Sequence, residues 1–278
     1  MLAQINGTEL FYTTHGRGRP LLLMHGGLGL DHTYFRPWLD ALAGEAQLIY
    51  YDHRGNGRSA RPQSFDGITH DTWIADADAL REHLGLERIV LLGHSYGGFL
   101  AQQYALRYGD RLDGLILCGT APAMDYPEVI FANAQARATP AQFELVVNGL
   151  SGPTPDDERL REIWGEIASL YFHHYDDERG RAMLERITYS AAAFNHSFFN
   201  CLPAFNTLNR LHEISAPTLI LAGRHDWITP PTQGAERIHA ALKDSKLVVF
   251  EDSGHFPFIE EQAGFLSVVA EWLAALSR

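Results

Sequence analysis

The stretch Gly93-His94-Ser95-Tyr96-Gly97 sets a hydroxyl among glycines, directly after the apolar run Ile89–Leu92 and before a helix-forming segment. A serine on a sharp strand-to-helix turn is crowded, so glycine neighbours let its oxygen stand exposed at the end of a sheet. Serine is a poor nucleophile at neutral pH. It needs a histidine to take its proton and an acid to orient that histidine. With a serine on this kind of turn, the chain order is serine, acid, histidine. Asp226 in "LAGRHDWITPP" and His255 in "EDSGHFPFIEE" satisfy it. Each lies in a loop just after an apolar strand, at the sheet edge that carries Ser95, where ligands bind in open α/β sheets. Asp125, which also follows a strand, stays open as the acid. Asp252 reads as a loop cap, His225 as a turn residue, His94 as a packing residue and His53 as part of a glycine-rich loop.

Acyl transfer at such a serine builds a negative oxygen that needs preorganised donors, worth about 3–4 kcal/mol each. His25-Gly26-Gly27 follows the first buried strand and turns backbone N–H groups toward the cleft. Gly27 is therefore the candidate first donor, and the N–H of Tyr96, next after the serine, the second. No step of this chemistry calls for a cofactor or a metal.

Three residues so far apart meet only if strands and helices deliver them to one edge. Short apolar runs alternate with amphipathic stretches, the pattern of a parallel sheet with helices on both faces. Strands are expected at Leu21–Met24, 46–52, Ile89–Leu92, Leu112–Cys118, 216–223 and "KLVVFE", after a short antiparallel leading strand. Helices are expected over 72–86, from about Gly98 to Tyr108, near 231–242 and in "AGFLSVVAEWLAAL". The first carries Ile74, Ala77, Leu80 and Leu84 on one face. From about residue 123 to 210 there are only helical patterns, including "DERLREIWGEIASLYFHHY". The expected organisation is an α/β core (1–122 and 211–278) with a helical cap (123–210) inserted after the sixth strand.

Composition narrows the partners. The 278 residues, 46% hydrophobic and 20% charged, suit a globular chain with one large core. With 22 Lys+Arg against 34 Asp+Glu, the net charge of −12 argues against nucleic acid and anionic membranes. Cys118 and Cys201 read as two free thiols, and no CxxC or HExxH suggests a metal. The amino terminus lacks a basic region followed by an apolar stretch, so a cytoplasmic protein is expected. The expected partner is a small ester, amide or short peptide.

The segments "HGGLG", "YDHRGNGRS", "GHSYGG", "GRHDWITP" and "SGHFPFIEE", in this order, resemble the α/β-hydrolase superfamily over essentially the whole chain. Within it the chain looks most similar to the proline iminopeptidase-like branch. The resemblance implies that Ser95, Asp226 and His255 match the family triad, and Gly27 and Tyr96 its oxyanion hole. It also implies a cap carboxylate for the substrate's free amine; Glu144, Glu162, Glu166 and Glu185 are candidates, none of them assigned, and each reads first as the solvated surface that a helical cap always carries. The chain departs from that branch at Leu28, where proline is usual, at Tyr96, where tryptophan is usual, and at His53, where glutamine is usual. A serine at position 95 excludes a haloalkane dehalogenase, which needs aspartate there; meta-cleavage hydrolases share the triad. The departures favour a carboxylesterase-like serine hydrolase, with proline iminopeptidase as the alternative and a non-catalytic ligand receptor on the same fold as a minor one. The aromatic cap residues Trp164, Tyr171, Phe172, Tyr175, Phe194, Phe198 and Phe199 are divided between pocket lining and the cap's own core.

Overall fold

The computed structural model describes residues 1–27 and 29–276; Leu28 lies outside them. Eight strands form one sheet: β1 (Leu2–Ile5), β2 (Thr8–His15), β3 (Arg19–Met24), β4 (Ala46–Tyr51), β5 (Ile89–His94), β6 (Leu112–Cys118), β7 (Thr218–Gly223) and β8 (Ser245–Phe250). They stand in the order β1-β2-β4-β3-β5-β6-β7-β8. β2 pairs antiparallel with β1 and β4, and the remaining pairs are parallel. The helices follow as α1 (His70–His83), α2 (Tyr96–Tyr108), α3 (Pro127–Arg137), α4 (Pro140–Ser151), α5 (Asp157–Ile167), α6 (Asp177–Leu184), α7 (Ala191–His196), α8 (Ala235–Ala241), α9 (Pro257–Glu260) and α10 (Gln262–Ala275).

The central strands read as unbroken apolar runs because both faces of the sheet are covered. Along β3, Leu22 and Met24 join one core while Leu21 and Leu23 join the other. Trp73, Ile74 and Ala77 of α1, Leu100 and Tyr104 of α2 and Ile238 of α8 close the first face. Phe265, Val269 and Leu273 of α10, with Tyr34, Phe35 and Leu39, close the second. Each such side chain taken out of water contributes about 1.5–3 kcal/mol, so the sheet ends are held on a stiff support.

Between β6 and β7 lie α3 to α7 and several shorter turns of helix. Among the described residues the only β pairing in this insertion is the bridge Ala123–Asn206, which joins its two feet. Two local expectations are corrected. α2 starts at Tyr96 rather than near Gly98, because β5 runs on to His94, paired with Cys118 of β6. Ser95 thus makes the whole strand-to-helix turn alone. The helix expected through "DERLREIWGEIASLYFHHY" ends as an α-helix at Ile167. Beyond it, Tyr171 turns its carbonyl to the N–H of His255 at 2.6 Å instead of continuing a helical ladder.

Candidate active site

Ser95 has φ 54° and ψ −122°, a conformation an L-residue adopts only under constraint. The constraint is visible. Its N–H donates to Cys118 O at 2.9 Å, and its carbonyl accepts from Gly98 N and from Thr120 Oγ1, both at 2.9 Å. A Cβ on Gly93 would strike the Gly97 carbonyl and Ala101, and one on Gly97 would strike the Met24 carbonyl. The two glycines are there because helix and strands approach too closely for any side chain, which accounts for the spacing around the serine.

His255 and Asp226 are both 3% exposed, and His255 Nδ1 lies 2.7 Å from Asp226 Oδ2. Asp226 also accepts the N–H groups of Ile228 and Thr229 at 3.0 Å and the Thr229 hydroxyl at 2.7 Å. Burial pushes its carboxyl upward, but His255 and the Thr229 donors outweigh burial and hold it below the usual carboxylate value. With Nδ1 committed to the acid, Nε2 is the ring nitrogen left for other work. Ser95, His255, Gly27 and Tyr96 line one cavity of about 110 Å³, whose other walls are mainly apolar and aromatic. Asp125 instead pairs with Arg237 at 2.7 and 2.9 Å. Asp252 is exposed, and His225 stacks on His173 at 3.5 Å.

The turn after β3 presses on the serine: a Cβ on Gly26 would lie 2.6 Å from Ser95 Cβ and 3.2 Å from Tyr96 N. Gly27 itself has φ 51°, the left-handed region that favours glycine. Tyr96 opens α2, so its N–H has no acceptor within the helix.

Tyr34, which the sequence reading did not single out, ties these parts together. Its hydroxyl accepts from Gly26 N at 2.7 Å and lies 2.9 Å from His94 Nδ1. Burial, then the neighbouring His255, push His94 down to about 3, so the ring is neutral. Its Nε2 faces the His255 carbonyl at 2.9 Å and must carry the proton, leaving Nδ1 to accept from Tyr34. One chain of hydrogen bonds thus joins the Gly26 turn, the serine turn and the histidine loop. The only sequence signal was an aromatic in "DHTYF".

Glu260 was missed as well. Its Oε1 accepts the N–H groups of His173 and His174 at 2.8 and 2.9 Å, and its Oε2 accepts Gly254 N at 2.7 Å. The insertion and the His255 loop are therefore fastened to one carboxylate. Glu260→Ala leaves three donors short of an acceptor and is expected to destabilise the protein by about 2–3 kcal/mol. It should also cut kcat at least about tenfold, since small misplacements of a reacting group are expensive. Urea unfolding and kcat measured on Glu260→Ala and Glu260→Gln check this, the glutamine keeping one acceptor oxygen and much of both properties.

Glu144, Glu162, Glu166 and Glu185 are all exposed, and none lines the cavity. Of the cap aromatics, Trp164, Tyr171, Phe194 and Phe198 line it, while Phe172 packs against Phe256 and Tyr175. Among the described residues one buried group has metal-ligand types, Asp31, His32 and Asp52. Its oxygens are already engaged. Asp52 accepts His32 Nδ1 at 2.5 Å and Arg58 N at 2.8 Å, and Asp31 accepts Thr33 N at 2.8 Å and Thr188 N at 2.9 Å. It is a strut between the loop after β4 and the insertion.

A model of the α/β-hydrolase fold matches residues 19–262, and the chain belongs to that superfamily, as an enzyme. A proline iminopeptidase of Pestalotiopsis fici, PfmaB, is 30% identical over 270 residues, 93% of this chain and 93% of the relative. The chain accordingly sits in the proline iminopeptidase-like branch. The crystal structure of the Mycobacterium smegmatis proline iminopeptidase superposes with a TM-score of 0.78 at 22% identity, covering 99% of this chain and 97% of that one. A thermophilic esterase from Thermogutta terrifontis superposes at 0.73 with 27% identity, covering 100% and 99%. No described helix is long and apolar enough to cross a membrane.

Proposed function

We propose that Ser95, His255 and Asp226 act as nucleophile, base and orienting acid, and that the chain is a serine hydrolase releasing N-terminal proline from short peptides. The observation that carries the hydrolase reading is the 2.7 Å His255–Asp226 bond beside a serine held at φ 54°, in one cavity. His255 takes the Ser95 proton as Oγ attacks the carbonyl, while the N–H groups of Gly27 and Tyr96 hold the oxyanion. Collapse breaks the scissile bond, and the leaving amine carries off the proton from His255. Water, deprotonated by the same histidine, then frees the acid and restores Ser95. Residues 123–210 serve as the cap that selects the substrate, and the free thiols Cys118 and Cys201 suit a reducing cytoplasm.

Proline as the acyl group is supported by the relatives, which favour this alternative over the carboxylesterase that the sequence reading preferred. One observation speaks for ester hydrolysis as a second reading. Among the described residues no carboxylate lines the cavity, so a charged amine finds no counter-ion there. The departure at Leu28 stays outside the described residues. Proline p-nitroanilide assayed beside its N-acetyl derivative and beside p-nitrophenyl butyrate decides between them. Aminopeptidase activity requires cleavage of the free-amine anilide that acetylation abolishes. Butyrate turnover with an untouched anilide would establish the esterase.

A further inference from the structure

A second cavity adjoins the active-site one across its aromatic wall. Trp164, Tyr171, Phe194, Phe198 and Ile228 also bound this apolar chamber of about 90 Å³, which lies between the insertion and the loop after β7. Its far side is made by Leu145, Val146, Leu160, Ile163, Ile167 and Trp227. These shared residues separate the two spaces, and Tyr171 and Ile228 stand on the histidine's side of the site. Tyr171 packs edge-on against His255, ring centroids 5.4 Å apart, and against Trp227 at 5.3 Å. Ile228 follows two residues after Asp226 and donates its N–H to it.

We propose that this chamber receives the apolar distal part of the leaving group. The assignment rests on the hydrolase reading of Ser95, because the group that accepts a proton from His255 must depart on the histidine's side. A peptide leaving group with a large apolar side chain fits this space, and an alcohol with an extended chain fills it as well.

Two matched series test this: butyrate esters of alcohols from methanol to hexanol, and prolyl amides from prolyl-glycinamide to prolyl-phenylalaninamide. In whichever series turns over, kcat/KM is expected to rise about fourfold for each buried methylene, and a flat series overturns the proposal. Val146→Phe fills the chamber and should flatten the rise while leaving the smallest substrate's rate unchanged; Ile163→Phe repeats the test if the first variant folds poorly. Titration of Ser95→Ala with N-acetyl-phenylalaninamide, followed by tryptophan fluorescence, separates the two levels of argument. Saturable binding abolished by Val146→Phe upholds the chamber even if no substrate is hydrolysed, and absence of binding overturns it even if Ser95 proves reactive.

Discussion

Replacement of Ser95 by alanine is expected to lower kcat by about four to six orders of magnitude while leaving the melting temperature within a few degrees of the parent. The loss is large because no other hydroxyl occupies that turn. The stability is spared because the turn is fixed through its backbone, by the bonds to Cys118, Gly98 and Thr120. Alanine keeps a Cβ, so the backbone at φ 54° is neither relieved nor further strained. Single-turnover assays and thermal unfolding on the same preparation measure both. A fluorophosphonate should label the parent at Ser95 and not the variant. A parent that resists labelling would instead make the chain a ligand receptor on a hydrolase scaffold, since fold alone does not confer turnover.

Asp226→Asn should cost about 10⁴ in kcat. The carboxylate accepts the Nδ1 proton of His255 and so leaves Nε2 unprotonated, able to take a proton from serine. A carboxamide can turn its NH2 toward Nδ1, which puts the proton on Nε2 and removes the base. Asp125→Asn is the control and should change kcat by less than about twofold, because Asp125 is spent on Arg237 at the surface. Rates reversed between the two variants would move the acid's role to Asp125.

The local constraint around Ser95 was legible in the sequence. Glycines crowd around Ser95 because backbone contacts leave no room, and that crowding is written within five positions. Asp226 and His255 were legible because parallel strands end at one edge, so a polar residue just past an apolar run has a known address. The strand periods were equally plain, since both faces of the sheet are buried. What escaped were groups whose meaning arises from contacts across the chain. Tyr34 and Glu260 look like any aromatic and any surface acid until His94, Gly254 and His173 are set beside them. The cap glutamates were legible as surface. Helical segments carry acids on their solvated faces, and Glu144, Glu162, Glu166 and Glu185 are exposed, as that reading expects. The extra residues of β5 escaped because Gly93 is a poor strand former, kept in the ladder by its β6 neighbour Leu117.

The Tyr171 carbonyl on His255 N, and Glu260 across His173, His174 and Gly254, fasten the insertion to the histidine loop. The two segments are coupled like parts on one shaft, so that whatever displaces either one displaces the other.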